Sequence, residues 1–334
     1  MKNFVIALLL ILASIHCACS IFSDNTSYLN LRQYAQGTER MPFQARFGMM
    51  PVLRLAHTGA FAHILQDFTN QHNGVVVEPS SPERNASELA GIACVLAMVG
   101  ALSLWGRRFL QRAWWLPASL LLAMLYANYA ARYEQAVWYP YDLPHFLLFG
   151  LAFLALIVRK WALLLLYFIC DCCMRETAIF LLPCVLALLL TEHRRRPVLL
   201  TASAMLVAWA AIYFGATHAF QHNPSVTGIR YRQNYQTLLN PWHWAQLASA
   251  GGFLLVPLFL ARRALPRPEQ YILLATLPGI FIAALFGIWV ESRIWAEWCM
   301  PLAILWTQVA ARTWLRAPAQ QTPSPSQPAN VTNI

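Results

Sequence analysis

Residues 4–22 read FVIALLLILASIHCACSIF, and Ser23-Asp24-Asn25-Thr26-Ser27-Tyr28 follows at once. A helix rises about 1.5 Å per residue, so the run covers about 28 Å, close to the hydrocarbon thickness of a bilayer. The polar cluster behind it is the first in the chain, and it opens a long mixed segment, 23–88. A carboxylate at the mouth of a first span, heading the longest polar segment, is where a lipid-facing enzyme can keep a catalytic base. Lys2 and Leu8-Leu9-Leu10 also suit a signal peptide. No Ala-x-Ala pattern surrounds Cys17-Ala18-Cys19, however, and His16 falls where a small residue is needed, so an uncleaved anchor is expected.

The rest of the chain repeats the apolar theme. It is 58% hydrophobic and 11% charged, with mean hydropathy +0.47, which excludes an ordinary soluble core of this length. An all-α polytopic membrane protein is expected, with ten spans at about 4–22, 89–105, 114–131, 143–158, 161–174, 177–191, 198–215, 246–261, 270–290 and 294–311. The reading makes 1–316 one integral membrane domain. Charge tests the topology. With Met1 cytoplasmic, the inner segments hold 14 of the 24 basic residues and only Glu192 and Glu269 of the acidic ones. Net charge is then +12 inside and −2 outside, as the positive-inside rule requires. The basic balance thus reflects topology and gives no hint of nucleic-acid binding.

The stretch 161–191 can be one helix or two. Two keep Arg194-Arg195-Arg196 and Arg262-Arg263 inside, and they place Asp171, Arg175 and Glu176 near an outer turn, shielded by protein because charge at membrane depth is costly unless paired. The eight cysteines lie in or beside spans without metal-ligand spacing and read as packing residues. The Pro- and Gln-rich end, 317–334, is expected to be a disordered cytoplasmic tail. The preference for 22 Arg over 2 Lys suits a GC-rich bacterial genome, hence a bacterial plasma (inner) membrane with both termini cytoplasmic.

Two outer segments can build a site. In 49–68, Leu53, Ala56, Ala60, Phe61, Ile64, Leu65 and Phe68 recur at helical spacing between Arg54, His57, His63 and Asp67, which predicts an interfacial amphipathic helix. Tyr28 to Tyr34 can form a shorter one, with Ser23 or Asp24 as N-cap. The second segment, 216–245, carries Arg230-Tyr231-Arg232 and Tyr235, a mixture that suits phosphate and sugar ligands or plain interfacial anchoring. His218-x-x-x-His222 has zinc-like spacing without a third ligand in register, so it reads as polar interface.

The stretch from Asp24 to Gly37, followed by Pro42-Phe43-Gln44-Ala45-Arg46-Phe47 and Met50-Pro51-Val52-Leu53, resembles the first outer loop of GT-C glycosyltransferases. That superfamily includes protein O-mannosyltransferases and lipid A aminoarabinose transferases. Arg175-Glu176-Thr177 through Pro183 is similar to a short motif opening a later span of that family, and Arg293-Ile294-Trp295 with Pro301 to an Arg-aromatic stretch near its last spans. The motifs cover about a quarter of the chain. Two departures stand out: relatives often pair two acids where Asp24 is flanked by Ser23 and Asn25, and many carry a large outer C-terminal domain.

The resemblance implies a polyprenyl-phosphate sugar donor lying in membrane lipid. On that reading Asp24 is the base and Tyr28 the aromatic beside it. Arg175 and Arg293 clamp the donor phosphate with planar, always-charged forks, Glu176 belongs to the same motif, and Arg46 is a further clamp. Asp142, in the second outer loop, can supply the missing second carboxylate, through a divalent metal or alone. For each residue a plainer role competes: a helix boundary for Asp24, a helix start with Pro144 nearby for Asp142, and an ion pair with Glu176 or Asp171 for Arg175 and with Glu291 or Glu297 for Arg293. The rival functions are a cell-envelope polysaccharide polymerase or ligase, and a transporter of lipid-linked sugars.

Overall fold

The computed structural model describes residues 1–58, 81–129, 137–192, 195–225, 231–244, 253–286 and 292–314. Helix α1 is Lys2–Ser23, an uninterrupted run of Leu, Ile and Ala among small residues. Leu10, Ser14, Cys17, Ala18 and Ile21 are buried along it at intervals of three and four, the spacing of one helical face. Phe4, Leu8, Leu9, Ile11 and Leu12 point outward and are exposed. In water each would forgo about 1.5–3 kcal/mol if fully exposed, against a net folding stability of about 5–15 kcal/mol. Lipid is the solvent such a face fits.

Beyond α1, strand β1 (Thr26–Ser27) pairs in parallel with β2 (Val137–Trp138). This ties the polar segment that leaves the first helix to the one that leads into Asp142. The ladder and a single bridge, Met41 to Ser225, are the departures from an all-α fold among the described residues. Helix α2 is Leu31–Gln36, capped by Asn30, whose side chain accepts from the Gln33 N–H at 3.1 Å. Neither Ser23 nor Asp24 caps it. Asp24 instead ends α1, its N–H bonded to the Ser20 carbonyl at 2.9 Å, because the backbone at 24 is still helical.

Helix α3, Met50–Leu55, is the described part of the expected interfacial helix. Its Leu53 and the following Ala56 are fully buried against protein, while Leu55 is exposed. Ala60, Phe61, His63, Ile64, Leu65 and Phe68 lie outside the described residues. The remaining helices are α4 (Pro82–Leu110), α5 (Leu116–Tyr129), α6 (Asp142–Ile157), α7 (Trp161–Met174), α8 (Leu181–Leu186), α9 (Arg195–Ala219), α10 (Tyr231–Leu239), α11 (Leu255–Leu260), α12 (Arg267–Leu274), α13 (Leu277–Phe286) and α14 (Cys299–Trp314). Short 3₁₀ turns at Glu176–Phe180, Ala187–Leu190 and Ser292–Trp298 join some of them.

The main core forms where α4, α5, α6 and α14 meet, with α1 against α4 and α5, and α7 alongside α6. Glycine permits two close crossings, as small residues do between membrane helices. A Cβ on Gly91 would lie 2.9 Å from Leu143, and one on Gly150 would overlap Met300. A smaller core, with Leu29, Tyr34, Met49, Leu53, Tyr139 and Tyr141, underlies the first loop.

Three helical stretches among the described residues are long and apolar enough to cross a membrane: Lys2–Ser23, Pro82–Ala113 and Arg195–Ala219. Leu116–Tyr129, Asp142–Ile157, Trp161–Met174 and Glu176–Leu190 are apolar but shorter. The structure therefore does not reproduce a count of ten. Apolar runs do not reveal where backbone breaks. The run 270–290 divides between Leu274 and Leu277, where Thr276 turns its hydroxyl to the Leu273 carbonyl at 2.7 Å and Pro278 opens the next helix. The run 161–191 does break at Arg175, as two short helices require.

Candidate functional site

The break after Met174 is the centre of the candidate site. Arg175 adopts an extended backbone (φ −157°, ψ 138°), so Asp171, Arg175, Glu176 and Thr177 diverge instead of following one helical face. Asp171 is fully buried and Arg175 nearly so, in line with charges turned into protein.

Around them lies a cluster of ionisable groups drawn from three elements. His145, in the first turns of α6, bonds through Nδ1 to Asp171 Oδ1 at 2.7 Å and through Nε2 to Glu297 Oε2 at 2.9 Å. The Thr177 hydroxyl donates to the same Glu297 oxygen at 2.8 Å, and Arg175 Nη1 lies 4.0 Å from it. If both carboxylates are ionised, each needs a donor from the ring, and His145 as imidazolium would supply both. The four side chains His145, Asp171, Glu297 and Arg175 then sum to zero charge. Each counter-ion is needed, since an unpaired ion in so dry a place costs several kcal/mol.

Arg175 is only partly satisfied. Among the described residues its Nε and Nη1 have no hydrogen-bond partner, although the side chain is 7% exposed. Buried donors of this kind cost free energy until an acceptor arrives.

Arg46 reaches the break from the other direction. The loop that carries it is held by the Tyr34 hydroxyl, which donates to the Arg46 carbonyl, and by Gln44, which accepts from the Glu39 N–H at 2.9 Å. Arg46 grips Glu176 through Nε and Nη2, the former at 2.8 Å, and donates from Nη1 to the Tyr141 hydroxyl at 3.0 Å. Its guanidinium also lies over the rings of Phe43 and Tyr141, 5.7 and 5.3 Å from their centres. Burial pushes the Glu176 carboxyl up, but the Arg46 charge outweighs it and holds the group down at about 2. Reciprocally, burial lowers the Arg46 pKa and the Glu176 charge raises it further, well above the usual value.

A pH window follows from this pair. An unfolded glutamate titrates near 4.3, so the depressed folded value contributes stability that is complete above that pH and disappears as pH falls toward about 2. Unfolding temperature of the protein in lipid nanodiscs, measured from pH 5 to pH 2 beside Glu176→Gln, is expected to fall more steeply for the parent than for the variant. Parallel curves would remove the pair from the acid response.

The other expected site residues are distributed as follows. Asp142 is buried in the first turn of α6 and accepts from the Tyr129 hydroxyl at 3.2 Å. Tyr28 is 43% exposed and starts an aromatic row through Phe43 and Tyr139 to Tyr141, with Arg40 4.7 Å above its ring. Asp24 is exposed and bonded to the Ser23 hydroxyl at 3.0 Å, outside the buried cluster. The backbone of Arg293 belongs to the 3₁₀ turn Ser292–Trp298, but its side chain lies outside the described residues. The ion pairs also differ from those expected. Glu176 pairs with Arg46, Asp171 with His145, and Glu297 faces Arg175 as well as His145.

Neither His145 nor Thr177 stands out as a site residue in the sequence. The signal available was a histidine inside an apolar helix, three residues after Asp142. Arg46, expected as a phosphate clamp, already has its whole fork engaged. His57 bonds Glu83 at 2.8 Å, and His218 and His222 are exposed. Among the described residues no three His, Cys, Asp or Glu side chains are grouped to hold an ion.

Beside Glu176 a cavity of about 390 Å³ opens between the first loop, the end of α7 and the C-terminal half of α9. No family model, curated protein or solved structure matches the chain.

Proposed function

We propose that the protein transfers a sugar from a polyprenyl-phosphate donor to an acceptor at the non-cytoplasmic face of a bacterial plasma membrane. The observation that carries the reading is Arg175, a buried guanidinium with two unused donors beside a charge-balanced cluster, followed in the chain by Glu176, which lines an open cavity. A phosphate oxygen is the acceptor those donors lack. The resemblance to GT-C glycosyltransferases supports the same assignment, and the charge asymmetry supports placing the first loop on the non-cytoplasmic side.

In the proposed reaction the acceptor hydroxyl gives its proton to Asp24 and its oxygen bonds to the anomeric carbon. The bond from that carbon to the phosphate oxygen breaks, and the electron pair leaves with the lipid phosphate. Arg175 neutralises the departing charge, joined by Arg293. Arg46 serves by fixing Glu176 and hence the turn that presents Arg175. Asp142, buried in the first turn of α6, is assigned to orient the acceptor.

A transporter of lipid-linked sugars would also use buried charge. Here, however, His145 is the fourth residue of α6 and Asp171 lies in the last turn of α7, which favours chemistry near the surface over a midplane relay. The test is transfer and donor binding by the purified protein with Asp24→Asn. Turnover is expected to fall about 100-fold or more with donor binding retained. Full activity in the variant would remove Asp24 as the base, and donor translocation without transfer would favour the transporter.

A further inference from the structure

We propose that the cavity beside Glu176 is a binding site for an uncharged sugar ring. The inference rests on the lipid-linked donor reading and deepens it by naming the class of sugar.

The wall of the cavity is one face of α9. Trp209, Tyr213 and Thr217 line it at successive intervals of four, so their side chains rise on the same side of the helix. The rings of Trp209 and Tyr213 are nearly parallel, 5.1 Å apart with 5° between their planes. The indole cannot swing freely, because its Nε1 donates to the Glu176 carbonyl at 3.0 Å. On the facing side the first loop is held in place by Asn223, whose amide donates to the carbonyls of Gly37 and Glu39 at 3.0 and 2.7 Å.

A sugar ring has apolar C–H faces and a rim of hydroxyls. Fixed aromatic surface matches the faces, and Thr217, with Gln221 farther along, offers oxygen and amide partners to the rim. The volume, about 390 Å³, falls within the range of about 300–1,000 Å³ usual for small-molecule sites. Charge selects further. Among the described lining residues Glu176 alone is charged, and its carboxylate is committed to Arg46. An ammonium or carboxylate on the sugar would therefore be desolvated without a counter-ion, a cost a neutral ring avoids. Glu176 is the residue after Arg175, so the cavity adjoins the turn that carries the proposed phosphate ligand.

The test uses the full-length protein in lipid nanodiscs. The probes are decaprenyl phosphate, decaprenyl phosphate carrying glucose, mannose or galactose, decaprenyl phosphate carrying an amino sugar, and soluble uncharged oligosaccharides. At least one neutral hexose lipid is expected to bind about tenfold tighter than decaprenyl phosphate alone, and the amino sugar lipid no tighter than decaprenyl phosphate. Tyr213→Ala should erase the hexose advantage and leave decaprenyl phosphate binding unchanged. Trp209→Phe, which keeps a ring but loses the N–H, should retain part of it. Equal loss for sugar-bearing and bare lipids would overturn the proposal and mark the cavity as a lipid-chain groove, and preference for the amino sugar would overturn it as well. If no lipid phosphate binds, the donor reading fails separately. The cavity proposal then stands if soluble neutral oligosaccharide binds in a Tyr213-dependent way, and falls if it does not.

Discussion

Replacing His145 by leucine is expected to destabilise the protein by about 3–5 kcal/mol, the range for removing one partner of a buried ion pair. The imidazole sits between Asp171 Oδ1 at 2.7 Å and Glu297 Oε2 at 2.9 Å, and all three side chains are essentially inaccessible. Without it two carboxylates face each other with only Arg175, 4.0 Å from Glu297, to balance them. Charge balance also dictates the rescue. His145→Leu with Asp171→Leu removes one positive and one negative group, leaves Glu297 with Arg175 and Thr177, and is expected to recover at least half of the loss. Thermal unfolding of the three proteins in nanodiscs measures both effects. A single variant as stable as the parent would show that the cluster does not hold these elements together.

Arg175→Met is expected to lower both stability and binding. The guanidinium is the second cation of a cluster that sums to zero charge, 4.0 Å from Glu297. An apolar side chain leaves one buried negative charge unbalanced, although Glu297 retains His145 and Thr177. Unfolding temperature without ligand should therefore fall by the equivalent of about 3 kcal/mol. Affinity for decaprenyl phosphate should fall about 10- to 100-fold, the loss of one charge-assisted contact in a poorly screened place. Arg175→Lys should restore little of it, because an ammonium lacks the planar fork. Strong destabilisation with unchanged phosphate affinity would make Arg175 a structural residue.

These expectations depend on partners that lie far apart in the chain. Arg46 and Glu176 are 130 positions apart, and His145 and Glu297 are 152 apart. The sequence showed that Asp171, Arg175 and Glu176 interrupt apolar runs, and membrane energetics then required them to turn toward protein. It did not show which acid each cation takes. Charge in a short segment does not reveal the packing that brings another segment within 3 Å, so Arg46 reads from sequence as a phosphate clamp and holds Glu176 in the fold.

What the sequence by itself determined is what depends on local composition. Apolar run length marked ten spans, of which those at α1, α4 and α9 are helices long enough to cross a bilayer, and polar residues at 175–176 marked a break. Both follow from helix rise and the cost of burying charge. Tertiary structure decided what depends on contacts between segments: Asn30 in place of Asp24 as the cap of α2, the division of 270–290 at Thr276, and the meeting of α6, α7 and the turn before α14 around one histidine. Hydropathy and charge patterns fall off within a few residues, whereas burial and pairing are properties of the packed chain.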